Sequence, residues 1–226
     1  MNKLKNFSTL SLTLVAIFAT LTAIGAFIKV PLPIVPFTLQ IIVVFLAGSL
    51  LGSKQGLQSQ LVYLFVGLAG LPVFTQGGGL MYVLQPTFGY LIGFAAGAFA
   101  IGFLIERIQQ PSFKHFIAAN LIGTVIIYTI GVPYLYLALN FWLGVPTNLS
   151  HVLAAGLFST IGIDIALAIF TSLLAVRLYP VFKTIHSPNK SDLKTKKSVL
   201  YGTKLNKKKI NLNGFSHYSA ISHQFS

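Results

Sequence analysis

Asp164 is the residue of this chain whose type and position most clearly imply chemistry. It stands in GLFSTIGIDIALAIFTSLLAV (156–176), a run otherwise long and apolar enough to cross a bilayer, and no other carboxylate lies between the start of that segment and the polar tail. An ionised carboxylate in hydrocarbon costs several kcal/mol or more, so its side chain must face the protein interior or a wet cavity. There it can hold a small molecule. The alternative is a helix-end acid that reaches water or caps a neighbour. Other chemistries lack their residues. The chain has no G-x-x-x-x-G-K-[ST] phosphate loop and no H-E-x-x-H pair. His115, His151, His186, His217 and His223 form no helical metal pair, and no second intramembrane acid partners Asp164. With no cysteine, thiolate zinc sites, disulfides and cysteine nucleophiles are excluded. A binding protein fits this inventory better than an enzyme, and no cofactor or metal is expected in the chain itself.

The elements that must position Asp164 follow from composition. Of 226 residues, 54% are hydrophobic and 8% charged, against about 25% charged in soluble domains. A soluble fold of this length has too little interior to hide that apolar surface, so lipid is the solvent. Spanning helices need about 20 apolar residues. Six candidates occur: 7–28, 35–52, 57–75, 87–107, 114–139 and 150–178, the second and third short enough to merge into a re-entrant pair. Pro133 falls inside the fifth and should kink it. The expected fold is an all-α membrane protein, a bundle of six transmembrane helices over residues 1–183, followed by a polybasic, disordered tail over 184–226.

Charge sets the direction of the bundle. Six spans put both ends on one side, and that side collects Lys3, Lys5, Lys54, Arg107, Lys114, Arg177, Lys183 and the tail. The other side receives Lys29 alone. The positive-inside rule makes both termini cytoplasmic in a multi-pass plasma-membrane protein, with loops 29–36, 71–87 and 140–150 outside. The net charge of +13 does not argue for nucleic acid, because half the basic residues lie beyond residue 189, where they suit anionic lipid. The charged start followed by an apolar run reads as a retained first span, longer than a signal-peptide core.

Small residues repeat along three spans: Gly89, Gly93 and Gly97; Gly48 and Gly52; and Ala16, Ala19 and Ala23. Such stripes let helix backbones approach closely. They serve either packing within the bundle or, most plausibly for Ala16, Ala19 and Ala23, docking of a partner membrane protein.

Four stretches carry a resemblance: PLPIVPFTLQIIVVFLAGSLLGSKQG, LVYLFVGLAGLPVFTQGGG, QPTFGYLIGF and IYTIGVPYL. Their most specific pieces are Pro36-x-Thr38-x-Gln40, the run Gly70 to Phe74, and Pro86, Thr87, Gly89 and Tyr90. Over residues 8–180 the chain resembles the BioY family, the biotin-specific S components of energy-coupling-factor (ECF) vitamin transporters. The resemblance implies a six-helix bundle of a bacterial cell membrane that binds the vitamin near its outer side and pairs with a transmembrane T component and two cytoplasmic ATPases. It also implies that a small-residue face of the first helix contacts the T component, which points to Ala19 and Ala23. ATP would then be used by partner subunits. Two departures stand out. QPTFGY replaces the family's G-P-T-G-G-Y, so Gln85 and Phe88 stand for glycines, and Leu167 stands where the family's Asp-x-x-Lys pattern has lysine.

A biotin-like ligand offers a ureido ring, a thioether ring and a carboxylate arm. Asp164 is the natural acceptor of ureido N–H bonds, which are strong when charge-assisted. Gln40, Gln76, Gln85, Thr87 and Tyr90 supply neutral hydrogen-bonding groups, and Phe37, Phe74, Tyr82, Tyr136 and Trp142 supply apolar wall. With leucine at 167, the ligand carboxylate needs another partner. Lys29, the one basic residue of the outer loops, and the backbone N–H groups of Gly77, Gly78 and Gly79 are the candidates. If neither serves, lipoate or dethiobiotin becomes the alternative ligand. An intramembrane enzyme is the remote alternative.

Overall fold

The computed structural model describes residues 9–31 and 35–186. The expected tail therefore lies outside the described residues beyond position 186. Five helical segments are long and apolar enough to cross a membrane: Thr9–Phe27, Gln40–Leu68, Phe88–Glu106, Phe113–Trp142 and Leu149–Thr184. The surfaces they leave exposed are apolar, with Leu12, Ile17, Phe65, Val125, Phe170 and Leu173 among them. Such a surface is stable in acyl chains and not in water.

The helices are α1 (Thr9–Phe27), α2 (Gln40–Leu46, continued by a π turn over Ala47–Leu51), α3 (Gly52–Leu68), α4 (Phe88–Glu106), α5 (Phe113–Leu137, continued by a π turn over Ala138–Trp142), α6 (Leu149–Leu153, continued by a π turn over Ala154–Phe158) and α7 (Ile161–His186). The second apolar segment does not run straight. A Cβ placed on Gly56 would lie 3.1 Å from the carbonyl oxygen of Ala47, whereas nine residues of straight helix would separate the two by about 13 Å. Gln40 and Tyr63, near the two far ends, are also hydrogen-bonded at 2.8 Å. The segment is a helical hairpin folded at Gly52, so the described residues make six traverses, with α6 and α7 forming the last.

The hairpin corrects two expected boundaries. The GSKQG stretch was expected to part spans 35–52 and 57–75, yet Ser53 to Gly56 are already in α3. Gly52 turns the chain alone, with φ 83° and ψ −179°, a region essentially restricted to glycine. Glu106 at the end of α4 receives the Ser53 N–H at 2.8 Å and the Ser53 hydroxyl at 2.7 Å, so the first orphan donors of α3 are satisfied without a loop. At the other end α3 stops at Leu68, and 69–75 is loop, because Gly70 takes φ 107° and Pro72 cannot continue the ladder. The fifth helix continues through Pro133. The fold also contains a two-stranded antiparallel ribbon in the first loop, β1 (Lys29–Val30) paired with β2 (Phe37–Thr38).

The glycine stripe of α4 packs inside the bundle. A Cβ on Gly93 would meet the backbone of Ile127 at 2.9–3.0 Å, and one on Gly97 would meet the Ile127 side chain at 2.9 Å. α4 and α5 therefore touch nearly backbone to backbone. Below the site, Asn120 of α5 donates to Ser172 Oγ of α7 at 3.0 Å and lies 3.5 Å from Ser49 Oγ of the α2 turn. This buried polar knot ties three helices, as polar side chains do within lipid.

Candidate functional site

The π turn after α6 ends at Phe158, and Ser159 and Thr160 lead into α7. Asp164 thus falls in the first turn of α7, one helical turn after Thr160. Its side chain points inward and is only 6% exposed. The Tyr128 hydroxyl of α5 donates to Asp164 Oδ2 and also lies 2.6 Å from Thr160 Oγ1. Tyr90 of α4 stands edge-on to Tyr128 with ring centroids 6.0 Å apart, and its hydroxyl donates to the Gly156 carbonyl at 2.8 Å. One carboxylate oxygen is therefore oriented by a tyrosine, which leaves most of the roughly four acceptor sites of an ionised carboxylate for another donor.

Asp164 lines a cavity with an empty volume of about 570 Å³, its open mouth included. The apolar wall is made chiefly by Val35, Phe37, Ile41, Leu91, Phe94 and Ile127. The polar groups are few: Thr38, Gln40, Thr75, Thr87, Tyr90, Tyr128, Thr160 and Asp164. The first and second outer loops, β2, α2, α4, α5, Thr160 and the start of α7 contribute wall residues. No lysine, arginine or histidine is part of the wall.

The structure brings five of the sequence-predicted site residues to this cavity: Asp164, Gln40, Thr87 and Tyr90, with Phe37 as apolar wall. Gln40 is 2% exposed and fully engaged as a brace. Its Oε1 accepts from Thr38 at 3.1 Å, and its Nε2 donates to the Tyr63 hydroxyl, which in turn donates to the Val73 carbonyl at 3.1 Å. The remaining predicted residues lie elsewhere. Phe74 is core: its ring fills the space above Gly67 and packs edge-on against Tyr63 at 5.3 Å. Gln76 is exposed, and Gln85 is half-buried outside the cavity wall. Gly78 packs onto Leu71 and Gly67, while Gly79 and Gly77 donate their N–H groups to Gly67 and Phe74 within the loop. The proposed anion cradle is thus largely spent on holding the loop.

Trp142 and Lys29 also act on the second outer loop. Trp142 Nε1 donates to the Leu84 carbonyl at 2.7 Å, Tyr134 donates to the Val83 carbonyl, and Lys29 Nζ donates to the Thr75 carbonyl at 2.6 Å. Tyr82, expected as wall, is buried and bonded to Thr75 Oγ1 at 2.8 Å. The loop is strapped over the bundle by side chains from three directions. On α1, Ala19 is 7% exposed and Ala23 packs against the core, so of the three alanines assigned to partner docking Ala16 alone is exposed. Leu167 packs half-buried against the core and is not part of the cavity wall.

Sequence reasoning missed Tyr128, Thr160, Phe94 and Ile127. Thr160 had a signal, since it precedes Asp164 by one helical turn and shares its face. Tyr128 had none beyond being a hydroxyl in an apolar span.

The profile of the BioY family matches residues 1–184. The chain belongs to the BioY family. Among BioY relatives, the probable biotin transporter BioY of Lysinibacillus sphaericus is 62% identical over 181 residues, covering 80% of this chain and 92% of the relative. The biotin transporter BioY of Thermotoga maritima is 38% identical over 163 residues, covering 72% and 91%. Among solved structures, the S-component for biotin from an ECF-type ABC transporter superposes with a TM-score of 0.66 at 29% identity, covering 80% of this chain and 98% of that one. The BioY fold accounts for the six traverses found here and places this chain among membrane transport proteins.

Proposed function

We propose that the chain is the substrate-binding membrane subunit, the S component, of an ECF-type importer that takes up biotin. The observation that carries this reading is the buried carboxylate of Asp164 on the wall of an otherwise apolar cavity beneath the strapped loops. Relatives named as biotin transporters and the likeness to a biotin S-component support the ligand. A ureido ring presents two N–H donors, which a carboxylate accepts well. Thr87, Thr160 and Tyr90 stand on the same wall for the ring's neutral groups, and Phe37 and Phe94 give apolar surface to the thioether ring and arm. The chain binds and carries; it is not an enzyme.

Import against a gradient needs energy that this chain does not generate, since it has no phosphate loop. A transmembrane T component and two cytoplasmic ATPases supply it, and ATP is their cofactor. The chain lies in the cell membrane with both termini cytoplasmic. Lys54, Arg107, Lys114 and Arg177 fall at the end of the bundle opposite the strapped loops, which fits that orientation. Isothermal titration of the purified chain with biotin, dethiobiotin and lipoate tests the ligand. Saturable binding led by biotin is the expected result; a clear preference for lipoate, or no binding to any of the three, overturns it. Co-purification from the native membrane with a T component and ATPases tests the assembly.

A further inference from the structure

We infer that Lys29 is the anion anchor of the site and fixes which way round the ligand lies. The inference rests on the proposed function, because it concerns the carboxylate arm of a biotin-like ligand. The cavity wall holds one acid, Asp164, and no base. A ligand with a hydrogen-bond-donating head and an anionic tail therefore cannot place its tail beside Asp164 without like-charge repulsion in a poorly screened setting. The tail must lie away from Asp164 and find a cation.

Among the described residues up to 182, Lys29 is the one lysine or arginine at the loop end of the bundle; Lys54, Arg107, Lys114 and Arg177 lie at the other end. Two independent contacts bring it to the cavity rim. In the ribbon, Lys29 pairs directly with Thr38, so the two side chains share one face, and Thr38 is a wall residue. Its Nζ then donates to the carbonyl of Thr75, another wall residue, at 2.6 Å. Lys29 is not itself part of the wall; it is held at the edge between two residues that are. An ammonium has three donors, and the Thr75 bond uses one. The same bond ties the first loop to the second, so a ligand carboxylate on the free donors joins both loops over the filled cavity. The head lies toward Asp164 and the tail toward the mouth.

The experiment compares biotin with its neutral primary amide on the purified chain in nanodiscs at low ionic strength, for wild type, Lys29→Ala and Lys29→Arg. We expect Lys29→Ala to weaken biotin by 10-fold or more while changing biotinamide by less than 3-fold, and Lys29→Arg to restore most of the biotin affinity. Equal losses for both ligands mean that Lys29 acts only as a loop strap, and overturn the inference. Unchanged biotin affinity in Lys29→Ala overturns it as well. A wild type that binds neither compound removes the functional reading itself, a result distinct from any produced by the Lys29 variants alone.

Discussion

The two ends of the bundle are built on opposite plans. At the end that holds Gly52, the chain turns on one residue, Glu106 caps the next helix, and Asn120 knots three helices just above. Contacts there are short and join neighbouring helices close to their backbones. At the other end the connections are longer, and the second outer loop is held by single side-chain bonds from Lys29, Tyr63, Tyr134 and Trp142 to its carbonyls. Beneath them lies the cavity with Asp164. The comparison teaches a division of labour: one end carries stability through irreplaceable backbone geometry, and the other accepts weaker, replaceable fastenings so that a ligand can enter and leave.

This contrast can be broken most forcefully at Asp164. Losing two charge-assisted hydrogen bonds, each about 1.5–3 kcal/mol, predicts that Asp164→Ala weakens biotin binding by at least about 100-fold. Its melting temperature should stay close to wild type, since the change also removes a buried charge. Titration calorimetry and thermal unfolding on one preparation check both halves. Next in size is Gly52→Val at the opposite end. A side chain at that φ and ψ is strained by about 1–3 kcal/mol, and it would also strike Glu106. Unfolding should occur several degrees lower, with affinity in the surviving folded fraction unchanged; lost affinity at normal stability would erase the proposed division.

Smaller effects sharpen the picture inside the loop end. Tyr128→Phe keeps the ring beside Tyr90 and removes the bond to Asp164. A net hydrogen bond of about 1 kcal/mol predicts a roughly 5-fold loss of affinity, read by titration. Trp142 is 40% exposed, so Trp142→Phe should cost little stability. Without the Nε1 bond to the Leu84 carbonyl, amides of residues 80–85 should exchange hydrogen a few-fold faster, with biotin dissociation accelerated by a similar factor in stopped-flow.

How much of this could be read from residues alone depended on whether cost is local. Asp164 was legible because a carboxylate in an apolar run is expensive wherever the chain goes. The α4 stripe was legible as a close approach, because Gly89, Gly93 and Gly97 offer nothing else. Phe74 was not. An aromatic in a loop motif can wall a cavity or fill a hole, and the missing Cβ of Gly67 beneath it decided for filling. Ala19 and Ala16 likewise differ only by helix phase, which no small-residue count contains; packing of α1 against α3 turned Ala19 inward. Gly77 and Gly79 looked available as anion donors until the loop consumed their N–H groups.

The amino-acid order by itself determined that this is a helical membrane bundle, with six traverses, a basic end and one acid that must be sheltered. Those properties follow from transfer free energies of individual residues and from segment length against bilayer thickness, which are additive along a chain. Only the tertiary structure decided that Tyr128 and Thr160 would orient that acid, that Gly52 alone would turn the hairpin, and that Lys29 would stand at the rim between Thr38 and Thr75. Those depend on where side chains from distant segments meet, and such meetings are set by packing of the whole bundle rather than by any stretch of it.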